Sequence, residues 1–231
     1  MRIWDIHPGY LNNQSLLGEH RELHGIASII SHNKQGYSRH PETLRWKGYG
    51  WALARRHQVL RAEMALRGFI DKTPLRLRAN AGVWPEEYID APSRQFDLLA
   101  EKYRHKAAGR IPLPANSQVL WAQHKYSVLA RDPQRYRDIG HRVAGMQRCD
   151  GFGELALELT ELLRTRPEPG QAMNALQHMW GYVSDYVPDA KRDPASMSPL
   201  SLLAEVQRLA MRHRQSYLLA STALSDLAAW L

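Results

Sequence analysis

The chain has 231 residues, room for one large domain or two small ones, and its 31 Lys and Arg against 23 Asp and Glu give a formal charge of +8. Its single cysteine, Cys149, excludes an internal disulfide and a cysteine-based metal centre. No apolar run reaches the roughly 18–20 residues a membrane span needs, and the opening Met1-Arg-Ile-Trp-Asp-Ile-His-Pro8 is too polar for a secretory signal, so a soluble cytoplasmic protein is expected.

The charge is uneven. Residues 1–85 hold 13 Lys and Arg against 6 Asp and Glu, while the remainder holds 18 against 17. The positive field belongs to the first third, and a polyanion is its natural partner. Charge alone leaves a merely solvated basic surface open.

In chain order, residues 14–30 read as a helix, with Leu16, Leu23, Ala27 and Ile30 on one stripe and Arg21 and Glu22 off it. Residues 31–40 form a loop around Gly36. A second helix covers 52–67, with Leu53, Leu60 and Met64 on one face, Arg55 and Arg56 on the other, and Gly68 as its stop. Residues 73–92 contain prolines and no helical period, and read as a connection. Further helices are expected over 94–108, 118–131, 134–146, 153–164, 171–187, 200–213 and 216–230. The pattern predicts an all-α fold of two helical modules in series, 1–85 and 93–231.

The first 25 residues carry chemistry. A free α-amine titrates near about 7.7–8.0, against about 10.4 for a lysine, so a chain terminus offers a neutral nucleophile at physiological pH. A carboxylate beside such an amine is the minimum apparatus for attack on a sugar C1′ followed by strand cutting. Met1 and the pair Arg21-Glu22 supply those groups, although an Arg-Glu pair taken alone reads equally as a solvated helix face. His20 and His24 stand at metal-ligand spacing, but Glu22 between them turns about 200° from His20 on a 3.6-residue helix. This is not the H-E-x-x-H pattern, and neither metal nor organic cofactor is expected.

Arg21-Glu22, the string Gly36-Tyr-Ser-Arg-His-Pro-Glu-Thr-Leu-Arg-Trp46 and the string Ala62-Glu-Met-Ala-Leu-Arg-Gly-Phe69 together make residues 1–80 resemble the pyrimidine dimer DNA glycosylase family, the phage endonuclease V type. The resemblance implies a glycosylase and AP lyase acting on duplex DNA with UV lesions. Met1, whose removal Arg2 opposes, is then the nucleophilic terminus, and its spacing to Glu22 equals the family's spacing from amine to catalytic glutamate. Glu22 stabilises the cationic sugar, and Arg21 binds phosphate or the lesion edge. Arg39, Arg45, Lys47, Arg55 and Arg56 are candidate phosphate contacts, joined by Arg2, His24 and His40, although His40-Pro41 also reads as a helix start. Trp46, Tyr49 and Trp51 read as base-stacking or as core. One departure stands out: where the phage enzyme has an arginine four residues after its Arg-Glu arginine, this chain has Gly25.

Residues 103–221 resemble the YbgA-like family of unknown function through His124-Lys-Tyr-Ser-Val-Leu-Ala-Arg-Asp-Pro133, Tyr136-Arg-Asp-Ile-Gly140 and Asn174-Ala-Leu-Gln-His-Met-Trp-Gly-Tyr182. His124, Lys125, Tyr126, Arg131, Asn174, His178 and Tyr182 are polar groups on otherwise apolar helices. They read either as the lining of a base or nucleotide pocket or as a satisfied internal network. Two further readings of the whole chain stay open: a non-catalytic nucleic-acid binding protein, and a nucleotide- or RNA-processing enzyme with its site in the second module.

Overall fold

A computed structural model describes residues 1–75, 77–147, 150–187 and 193–231; Cys149 lies outside them. Every regular element among the described residues is helical, so the fold is all-α, and no helix is long and apolar enough to cross a membrane. The chain divides into two compact units, residues 1–109 and 110–231.

Unit 1 begins with a non-helical segment over residues 1–6 and a single 3-10 turn, Pro8–Tyr10, opened by His7, whose Nδ1 accepts the Gly9 N–H. Helix α1 (Asn13–His32) starts where the Asn12 side chain accepts the Ser15 N–H at 2.8 Å, leaving one fewer orphan donor in the first turn. Its Leu16, Leu23, Ile26 and Ala27 are buried, most of them on the stripe the periodicity predicts. Helix α2 (Pro41–Trp46) has His40 as N-cap and proline in its first turn. Helix α3 (Gly50–Leu66) packs on α1 and ends before Gly68 at φ 81°, a left-handed position that suits glycine.

Helix α4 (Pro92–Tyr103) completes this unit. Phe96 meets the Tyr10 ring edge-on at 4.9 Å, and the Tyr103 hydroxyl accepts the Asn12 N–H at 3.0 Å. At Gly109 a Cβ would stand 2.4 Å from the Tyr10 carbonyl oxygen, so only glycine allows that approach. The sequence pattern ended the first module at 85 and assigned the helix near 94 to the second; those contacts carry unit 1 on to residue 109.

Unit 2 is built around helix α5 (Ser117–Leu129), which packs against α6 (Pro133–Ala144), α7 (Phe152–Leu163) and α8 (Pro169–Trp180). Helices α9 (Pro199–Arg212), α10 (Ser216–Leu219) and α11 (Ala223–Asp226) close the unit. The helix expected over 216–230 is broken at Ser221-Thr222. There the Thr222 N–H and hydroxyl both donate to the Gln123 carbonyl, at 2.8 and 3.0 Å, a tertiary alternative to the helical ladder. The helix expected over 171–187 stops at Trp180.

Candidate active site

The backbone of residues 2–5 donates to side chains in turn. The Arg2 N–H donates to Glu22 Oε2 at 2.5 Å, Ile3 to Glu42, Trp4 to Glu19 Oε1 at 3.2 Å and Asp5 to Gln95 Oε1 at 2.8 Å. Arg2 meets Glu22 and Trp4 meets Glu19, so the segment runs antiparallel to α1. Buried backbone donors need partners, and here carboxylates and an amide take the place of a strand. With Ile3, Trp4 and Ile6 buried, the start of the chain is pinned. The Met1 amine is three covalent bonds from the N–H that Glu22 accepts.

Two of the expected phosphate contacts are withdrawn. Arg56 is buried and forked onto Glu19, Nε to Oε1 at 2.7 Å and Nη2 to Oε2 at 3.0 Å, while Nη1 donates to the Ile6 carbonyl. Burial pushes the Glu19 carboxyl up to about 7, against the pull of Arg56. Arg45 has a side chain 5% exposed and pairs with both Asp5 and Glu42. Glu42, raised by burial, also accepts the Trp46 indole N–H. Both arginines compensate buried carboxylates that hold the N-terminal segment. Trp46 is core.

The other candidates lie nearer solvent. Arg21, Arg39 and Lys47 are exposed and Glu22 is half-buried. Arg2 is part-buried, pairs with Asp90 at 2.7 Å and lies over the Trp4 ring. Arg55 donates to Gln58 and lies over Trp51. His40 Nδ1 accepts the Glu42 N–H, the structural role of a cap. Lys34 and Lys47 flank a cleft of about 300 Å³ between the end of α1 and α2. Sequence reasoning missed Tyr37, which is 70% exposed in a left-handed backbone (φ 53°) two residues from Arg39. An aromatic in a loop of Lys, Gly and Ser was the available signal.

His24, expected at the DNA, faces inward. Its Nε2 lies 3.1 Å from His57 Nε2, and the two group with His20 and Asp71. Burial and the neighbouring His24 lower the pKa of His20, and the same causes take His57 down to about 4. Burial works against the Asp71 charge, but the Thr73 N–H, His57, His20 and Arg61 outweigh it and hold that carboxyl below its usual range. The spacing argument that set metal aside considered only His20, His24 and Glu22; two further potential ligands come from elsewhere in the chain.

In unit 2 the seven expected residues divide. Lys125 lies over the rings of Tyr126 and Tyr217, Tyr126 donates to the Tyr182 hydroxyl at 3.2 Å, Tyr182 stacks on Tyr217 at 4.9 Å and His178 stacks on Tyr126 at 6.4 Å. Burial opposes the Lys125 charge, but the Tyr217 hydroxyl and the neighbouring tyrosines raise its pKa. Burial raises that of Tyr126. His124 and Arg131 do not join this cluster. The His124 ring is buried against the Leu120 carbonyl, and Arg131 is forked onto buried Asp226 at 2.7 and 3.1 Å. Asn174 is half-buried on α8.

Residues 1–77 match the family model of pyrimidine dimer DNA glycosylases, and residues 125–226 match that of a protein family of unknown function, DUF1722. No curated protein and no solved structure matches the chain.

Proposed function

We propose that unit 1 is a DNA glycosylase and AP lyase that acts at UV-induced cyclobutane pyrimidine dimers through the Met1 α-amine. The observation that carries this reading is the hydrogen bond from the Arg2 N–H to Glu22, which brings a carboxylate beside the residue bearing the amine. The family match over residues 1–77 supports a pyrimidine dimer glycosylase.

In this mechanism the amine nitrogen bonds to C1′ of the 5′ nucleotide as the C1′–base bond breaks. The base leaves with the bonding pair and the amine gives up a proton. Opening of the C1′–O4′ bond yields an imine, with Glu22 stabilising the positive charge that develops on the sugar. Loss of the C2′ proton then expels the 3′ phosphate and nicks the strand. Arg21, exposed one residue before Glu22, binds phosphate, as do Arg39 and Lys47. The reacting C1′ is shielded in a stacked duplex, so the enzyme kinks the DNA or flips a base.

Borohydride trapping of untagged protein on duplex DNA bearing a cyclobutane dimer, with abasic DNA as control, tests the reading. A covalent adduct mapped to the Met1 peptide on both substrates is expected. An adduct on abasic DNA alone refutes the lesion specificity, and no adduct refutes the chemistry in favour of DNA binding alone. Binding also weakens steeply with salt as phosphate contacts release counterions.

For unit 2 the favoured reading is a base-stacking surface, carried by the exposed Tyr182 ring stacked on Tyr217 beside Lys125. Loss of affinity for single-stranded oligonucleotides in Tyr182→Ala tests it; unchanged affinity refutes it.

A further inference from the structure

We infer that His20, His24, His57 and Asp71 form a site for one zinc ion that ties α1, α3 and the chain leaving α3 together. The four ligand atoms come from three places in the chain: an i, i+4 pair on α1, a buried position on α3 and a non-helical residue beyond its end. All lie within 4.8 Å of one another. Three separations are 3.1 Å (His24 Nε2 to His57 Nε2), 3.3 Å (His20 Nε2 to Asp71 Oδ1) and 3.4 Å (His57 Nε2 to Asp71 Oδ2). A tetrahedron with metal–ligand bonds of about 2.0–2.1 Å has edges of about 3.3–3.4 Å. These gaps are near that length, the two to Asp71 running to different oxygens of its carboxylate, and binding an ion draws the four ligand atoms in from spacings of up to 4.8 Å.

Hydrogen bonds alone serve this cluster poorly. His57 Nε2 faces both the His24 nitrogen and an Asp71 oxygen, and one ring proton cannot satisfy both. His20 Nε2 is buried, and its approach to Asp71 is not that of a hydrogen bond. A cation at the common centre satisfies all four atoms at once. The carboxylate is also oriented from outside, since Arg61 Nε pairs with Oδ2 at 2.9 Å and the Thr73 N–H donates to Oδ1 at 3.0 Å, the kind of outer contact that fixes a metal ligand.

Three imidazoles with one carboxylate suit zinc, whereas calcium and magnesium take oxygen ligands. Four protein ligands fill a tetrahedron and leave no position for an activated water, so the ion is structural. It holds α1, which presents Glu19 and Glu22 to the N-terminal segment.

The test uses untagged full-length protein, its metal content by elemental analysis, and titration of the chelator-stripped protein with Zn2+ and Co2+. One zinc per chain is expected, with the intense visible absorption of tetrahedral Co2+. Asp71→Asn and His57→Gln each weaken Zn2+ binding by roughly 100-fold or more, while His32→Ala, altering an exposed ring outside the cluster, leaves it unchanged. Substoichiometric metal, a weak octahedral Co2+ spectrum, or undiminished binding by the Asp71 and His57 variants overturns the proposal. The wild-type Co2+ spectrum decides even where a variant fails to fold. DNA enters none of these measurements, so the glycosylase reading stands or falls separately.

Discussion

The Glu22 carboxylate accepts the backbone N–H of Arg2 across a sequence separation of 20. The bond anchors the start of the chain on α1 and also sets a negative charge beside the terminal residue. Glu22→Gln separates the two roles, because the amide oxygen still accepts the N–H but carries no charge. Strand cutting is expected to fall by at least about 100-fold, with the melting temperature near wild type and DNA binding retained. Glu22→Ala loses the anchor too, at about 1–3 kcal/mol of stability. Wild-type cutting by Glu22→Gln removes Glu22 from the chemistry.

Arg56 and Arg39 are expected to part company. Arg56→Ala strands the buried Glu19 and lowers stability by about 3–5 kcal/mol in denaturant unfolding. Arg39→Ala, at an exposed position, changes stability by less than about 0.5 kcal/mol and lowers the salt slope of DNA binding by about one. A large salt-slope change in a folded Arg56 variant contradicts the assignment of that side chain to the core.

Tyr37 projects from the loop before α2, 70% exposed, with its ring tilted 6.3 Å from that of His40. Tyr37→Asn tolerates the left-handed backbone and removes the ring. DNA affinity is expected to drop by about 1–3 kcal/mol, read by fluorescence anisotropy, with stability unchanged. Equal affinity excludes stacking by this residue.

Gly25 lies on α1 four residues after Arg21, and a Cβ there meets nothing within 4 Å. Gly25→Arg therefore fits. It should stabilise the helix by about 0.5–1 kcal/mol, since glycine costs backbone entropy in a helix interior, and it adds a cation one turn from Glu22. Tighter DNA binding with a steeper salt dependence is expected; unchanged binding places that face of α1 away from the DNA.

His124 makes unit 2 acid-sensitive. Burial lowers its pKa from 6.5 to about 4 in the folded chain. The folded state thus disfavours the protonated ring. The corresponding stability is fully present above pH 6.5 and is lost as pH falls through 4, on the order of 3 kcal/mol in total. Denaturant midpoints measured from pH 7 to pH 4 should show this loss, and His124→Asn, whose amide still reaches the Leu120 carbonyl, should flatten it. An identical pH profile in the variant assigns the sensitivity elsewhere.

Much of the architecture was legible locally. The stripe of Leu16, Leu23 and Ala27, the His40-Pro41 start of α2 and the Gly68 stop after α3 all announce helices through interactions a few residues apart. The 216–230 segment was misread because its interruption depends on Gln123, a residue of α5 nearly 100 positions away. Arg45 and Arg56 were misread for the same reason. A cation at the surface and a cation paired with buried Asp5 or Glu19 look alike in a basic stretch.

The amino-acid sequence by itself determined the helical content, the concentration of positive charge in the first third and the family likeness of both segments. All of these are set by composition and by spacings within one element. The tertiary structure decided which carboxylate meets the chain start, which arginines are buried in ion pairs and which stay exposed, and that His57 and Asp71 join His20 and His24. Those outcomes depend on desolvation and on pairing between residues on different elements, such as Arg2 with Glu22 and His20 with Asp71, and burial becomes a property of a residue only once the helices have packed.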